Sequence, residues 1–139
     1  MLNYAQTGRN SRESVGQLYT RDLTKPFVLI EYASQLRPTM AIWSRVRFDP
    51  QKALVERQTL FKEGLHCVGM WHTHPEPCPT PSREDRQLSH NYALAASAHL
   101  RGIVFVIVGT LPHPHGFRVW VDDGTELLLA QPALAPPVW

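Results

Sequence analysis

The 139-residue chain has only two cysteines, Cys67 and Cys78, too few for a disulfide framework. No apolar run approaches the roughly 20 residues that a membrane-spanning helix requires. Charge of either sign is sparse: 14 basic residues stand against 12 acidic ones, for a net charge of +2. The basic side chains, mostly arginine, are scattered and form no patch. That weak balance argues against nucleic acid or an anionic membrane surface as a partner. The opening M-L-N-Y-A-Q-T-G-R-N lacks the charged-then-apolar order of a secretory signal, so a cytoplasmic location is expected. No internal repeat and no second domain are visible.

What remains is an ordinary globular composition, 43% hydrophobic, with a length that supports one substantial core. Residues 1–12 are polar and patternless and read as a flexible N-terminus, 13–131 as the domain, and the proline-rich 132–139 as a loose tail in which Trp139 could dock. Val15, Leu18 and Tyr19 suit a first strand. Residues 27–33, rich in branched and aromatic side chains, predict a strong second one. Residues 40–48 alternate as another, with Ile42, Val46 and Phe48 on one side.

Asp49 followed by Pro50 is a helix start, and Gly64 is the matching left-handed stop. Leu54, Leu60 and Phe61 supply that helix with an apolar stripe, with Ala53 at its edge. Residues 65–74 form a strand. Pro75, Pro77, Pro79 and Pro81 then hold an extended loop. A second helix is expected over 82–100, with Leu88, Tyr92, Ala95, Ala96 and His99 facing the core. Residues 103–108 are a continuous apolar run typical of a central strand. Strands at 117–121 and 126–130 flank an Asp122-Asp123-Gly124 turn. The order predicts an α/β (α+β) fold, a mixed sheet flanked by helices.

Chemistry concentrates between Cys67 and Asp85. His72 and His74 sit two apart on a strand, so their side chains share a face and can reach one ion. Asp85 follows at the start of the second helix. Two imidazoles and a carboxylate are the ligand type that catalytic zinc uses, with a fourth position left for water. Each half has a plainer explanation: an HxH pair arises by chance, and Ser82-x-x-Asp85 is also a helix capping box. Cys78 could be a redox handle or an adventitious ligand, but reads more simply as a loop residue. His113 and His115 form a second HxH in a proline and glycine loop, with no carboxylate at useful spacing.

Taken together, H-T-H-P, seven residues from Pro75 to Pro81, then S-x-x-D match the signature of the JAMM/MPN-plus metalloproteases without gap or substitution. The loop also resembles that of the RadC branch of the same superfamily. The family carries an upstream glutamate in a pattern close to E-x-G-G-x-L. Glu13-Ser14-Val15-Gly16-Gln17-Leu18 is similar to it, with Val15 where a glycine is usual. Glu31, Glu56 and Glu63 are the competing glutamates; Glu31 lies within an apolar strand, and Glu56 and Glu63 on a helix where solvation is expected.

The resemblance implies a cytidine-deaminase-like JAMM/MPN core and a zinc ion (Zn2+) held by His72, His74 and Asp85. It implies Glu13 as general base and Ser82 as hydrogen-bond donor to the oxyanion. The chain resembles the compact prokaryotic members most. An isopeptidase acting on a ubiquitin-like protein or its conjugate is therefore expected, beside activating and conjugating enzymes and in some settings antiviral. A peptidase acting on a sulfur-carrier adduct, or a non-catalytic MPN scaffold, are the alternatives.

Overall fold

The computed structural model describes residues 13–42 and 45–133. The readings of 1–12 as flexible, of 134–139 as tail and of Ile42 and Val46 as one strand face lie outside what is described. Two helices are present, α1 (Pro50–Lys62) and α2 (Arg83–Ala96). The strands are β1 (Val15–Thr20), β2 (Tyr32–Ala33), β3 (Pro38–Ile42), β4 (Arg45–Phe48), β5 (His66–Thr73), β6 (Ile103–Val108), β7 (Phe117–Asp122) and β8 (Leu127–Ala130). Six of them form a mixed sheet ordered β2-β1-β5-β6-β7-β8, while β3 and β4 pair separately.

Within the large sheet β5 and β6 run parallel, and every other pairing is antiparallel. A parallel neighbour pair needs a crossover, and α2 supplies it. The N-terminus of α2 therefore returns to the end of the sheet where β5 finishes. Ligand sites in open sheets sit at this carboxyl end of parallel strands.

Strand alternation sorts the core into two faces. Met70, Phe105, Ile107 and Trp120 pack against Leu88 and Tyr92 of α2, and Val15 packs with Leu36 and Ala53 of α1. Both helices cover this face. Leu18, Val68, Trp71, Val106 and Val108 form the other, with Ile30 and Ala33 laid over it.

That second face explains a departure from the sequence reading. Residues 27–33 do not form one long strand: only Tyr32 and Ala33 pair with β1, and Phe27 and Val28 are exposed. The chain from Glu31 to Leu36 runs beside β1 at the sheet edge and leans over this face where Trp71 Nε1 donates to the Ser34 carbonyl at 2.8 Å. Gly16 makes that close approach possible, because a Cβ there would lie 1.8 Å from the Ser34 carbonyl oxygen. The strand expected over 40–48 is likewise divided, into the β3–β4 pair, whose register shifts between Pro38 and Met40.

Both helix starts are as read. Asp49 caps α1 by accepting from the Gln51 N–H at 2.9 Å with Pro50 in the first turn, and Gly64 follows with φ +81°. Replacing Asp49 with alanine should cost about 1 kcal/mol in a denaturant melt, the usual value of such a cap. The helix faces differ from expectation. On α1 only Ala53 is buried, while Leu54 and Phe61 stand exposed. On α2 the buried residues are Ser89 and Ala93, with Ala95 and His99 outside. Small side chains let each helix approach the sheet closely, and hydrophobicity alone does not reveal that.

Candidate metal centre

His72 and His74 occupy the last turn of chain at the carboxyl end of β5. His72 pairs with Val15 on one side and Ile107 on the other. His74 is tied down just beyond the strand, its N–H donating to the Val108 carbonyl at 2.9 Å. Period-two alternation turns both imidazoles to the helix face, and their ring centroids lie 4.7 Å apart. Trp71 and Thr73 point the other way and are fully buried, at 1% and 0% exposure.

Asp85 arrives from α2. Its carboxylate Oδ2 accepts from the Ser82 N–H at 2.7 Å, and its own N–H donates to Ser82 Oγ at 3.1 Å. This capping box fixes the first turn of the helix. The same box aims the carboxylate at the histidines: Oδ1 lies 3.2 Å from His72 Nε2, and Oδ2 lies 3.3 Å from His74 Nε2. The bland and the functional readings of Ser-x-x-Asp thus hold at once.

The His72–Asp85 separation has hydrogen-bond length, yet His72 Nε2 is buried and makes no hydrogen bond. Its ionic contact in the cluster is the Asp85 carboxylate. A buried polar atom without a hydrogen bond is costly, so a cation between the two, proton or metal, resolves the arrangement. The two contacts run to different oxygens of Asp85, and two imidazoles with a carboxylate are a donor set that zinc takes. One donor atom from each of His72, His74 and Asp85 lies within 4.8 Å of the others.

The electrostatics agree with the geometry. Burial alone would push the Asp85 carboxyl up, but the contacts from His72 and His74 and the Ser82 N–H outweigh it and hold it well below the ordinary carboxylate range. Burial would push His74 down, but Asp85 outweighs it and raises the imidazole above its ordinary value, with Glu13 and Glu76 adding to the effect. Burial raises the Glu13 carboxyl, and the charges of His72, His74 and Asp85 all act on it. Glu13 is thus within electrostatic range of all three. Its neighbour explains how: the Ser14 N–H donates to Thr73 Oγ1 at 2.9 Å and the Thr73 N–H to the Ser14 carbonyl at 3.0 Å. Continuing that antiparallel register sets Glu13 across from His74.

The other candidates fall elsewhere. Glu31 accepts from the Arg21 N–H at 2.6 Å, at the opposite end of β1. Glu56 is not solvated as expected but accepts from the Tyr19 hydroxyl at 2.7 Å and from Gln17 Nε2 at 3.0 Å. Cys78 is exposed, and the Arg118 guanidinium donates to its sulfur at 2.8 and 3.2 Å. That contact ties the proline loop to β7 and has no sequence signal. His113 and His115 are exposed in the loop before β7, and among the described residues they join no metal cluster.

Two comparisons bear on this arrangement. The family described as prokaryotic homologs of the JAB domain matches residues 4–122. The solution structure of protein DSY2949 from Desulfitobacterium hafniense superposes with a TM-score of 0.68 at 20% identity, over 94% of this chain and 83% of that one. At that identity the likeness shows the fold alone. No curated protein matches in sequence. Among the described residues, no helix is long and apolar enough to cross a membrane.

Proposed function

Since the chain belongs to the prokaryotic homologs of the JAB domain, a family that includes zinc metalloproteases, we propose that it is a metal-dependent isopeptidase. The observation that carries this reading is the clustering of His72, His74 and Asp85, with His72 Nε2 buried and making no hydrogen bond there. Its substrate on this reading is an amide that joins a ubiquitin-like protein to a lysine or to a precursor extension. A sulfur-carrier adduct would offer the same bond.

His72 and His74 would hold zinc through Nε2, and Asp85 through its carboxylate. Zinc, when bound, lowers the pKa of a coordinated water to about 7 and polarises the carbonyl under attack. Glu13 takes the proton from the attacking water and hands it to the leaving amine. Its raised carboxyl suits that task, since a weaker acid is a stronger base toward the water proton. Ser82 Oγ accepts from the Asp85 N–H, which leaves its own hydrogen available to donate to the oxyanion.

Two outcomes follow. Replacing Ser82 with alanine should lower kcat by about 10²–10³, the value of one oxyanion donor. The lost cap adds about 1 kcal/mol of destabilisation, and a melt separates the two effects. Zinc affinity should weaken below neutral pH, by about tenfold per pH unit for each proton displaced. The sign follows from His74: its raised imidazole holds a proton in the metal-free protein as the pH falls, and that proton competes with the ion. A titration at several pH values checks this.

The function itself is tested by incubating the zinc-loaded protein with linear and lysine-linked fusions of a ubiquitin-like protein. Cleavage that a chelator stops and zinc restores is expected. Stoichiometric zinc without cleavage of any amide would leave a metal-bearing scaffold.

A further inference from the structure

The ligand Asp85 sits on a helix, and the depth of that helix is set one turn further along. Ser89 follows Asp85 by four residues, so the two lie on the same face of α2. Ser89 is fully buried at 0% exposure, and its hydroxyl donates to Asp122 Oδ2 at 2.7 Å. Asp122 ends β7, is itself 2% exposed, and accepts through Oδ1 from the Gly124 N–H at 2.9 Å. Asp122 pairs with Ile103 and with Leu127, so it is held on both sides by the sheet. Ala93, one turn beyond Ser89, is also buried and small. Nothing bulky separates the helix from the strand at this point.

We propose that the Ser89–Asp122 pair is a positioning device for the metal site, setting the height and rotation of α2 so that Asp85 meets the two histidines. The inference rests on the metal reading above. The capping box orients the Asp85 carboxylate within the first turn, but it cannot place that turn relative to β5. A helix is stiff over a single turn of about 5.4 Å, so a contact at Ser89 fixes where Asp85 stands. Neither Ser89 nor Asp122 touches the ligand cluster, and both act through Asp85. His90 Nδ1 lies 4.0 Å from Asp122 Oδ1, beyond hydrogen-bond length, and is half-exposed. It has no part in the pin.

The test compares zinc affinity with metal-free stability in the full chain, using a competing chromophoric chelator. Ser89→Ala should weaken zinc binding about tenfold, the lower end of what outer partners of metal ligands contribute. Val106→Ala, in the core of the opposite sheet face, is the control for mere destabilisation. It should lower the metal-free melting temperature yet leave zinc affinity unchanged. Should Ser89→Ala fail to fold, Asp122→Asn takes its place, because it keeps the shape of the side chain while its single amide oxygen can accept from only one of Ser89 and the Gly124 N–H. A several-fold loss of affinity is expected there. Wild-type zinc affinity in either variant, with the wild-type protein binding normally, overturns the pin alone. A wild-type protein that binds no zinc overturns the pin together with the metal reading.

Discussion

Replacing Asp85 with alanine is expected to take zinc from about one ion per chain to almost none. Among the described residues three side chains form the cluster, and Asp85 is the only anion of the three. Without it two neutral imidazoles remain, a set that does not compete with chelators or with water. The substitution should also remove the acid's half of the capping box while leaving Ser82 Oγ in place. The melt of the metal-free protein should therefore move by only about 1 kcal/mol, and metal analysis after dialysis should show the larger effect. Retention of a full equivalent would mean that the ion is held by other side chains. Cys78, in the loop between the ligands, is the first to examine.

Replacing Glu13 with glutamine should lower kcat by about 10²–10⁴ with zinc content unchanged. Glu13 is not one of the three clustered donors, and what it offers is a place for a proton. Glutamine keeps the shape and the hydrogen-bonding reach but cannot accept that proton. The split between rate and metal content distinguishes a base from a ligand. Loss of zinc in Glu13→Gln would make Glu13 part of the ligand set. An unchanged rate would remove it from the chemistry.

Much of the site was legible because strand and helix rules act over short spans. Two residues on one strand share a face, which places His72 with His74. A capping box sets three residues at a helix start, which places Ser82 with Asp85. Glu13 was legible only through the family's pattern, since its position depends on β1 lying antiparallel to β5. The Ser14–Thr73 clasp that aligns it joins residues far apart in sequence, with nothing local to mark them.

The same limit governed the fold. Residues 27–33 have strand-like side chains, but they are used to cover a sheet face, and only the close approach at Gly16 shows why. The α1 stripe of Leu54 and Phe61 looked buried, but Ala53 is the α1 residue that is buried. Glu56 looked solvated, but Tyr19 and Gln17 bring it into a partly buried network. Ser89 carries no local signal mid-helix, and its meaning comes from Asp122 on β7. In each case the deciding partner lies in another element.

Everything above depends on four side chains, brought from the β1 entry, the end of β5 and the start of α2, meeting around one divalent ion. Anomalous diffraction at the zinc edge from crystals of the loaded protein tests this most directly. A single strong peak about 2.0–2.2 Å from His72 Nε2, His74 Nε2 and an Asp85 oxygen is predicted, with Glu13 within one-water reach. A peak at His113 and His115 or at Cys78, or Glu13 turned out to solvent beside a filled site, would contradict it.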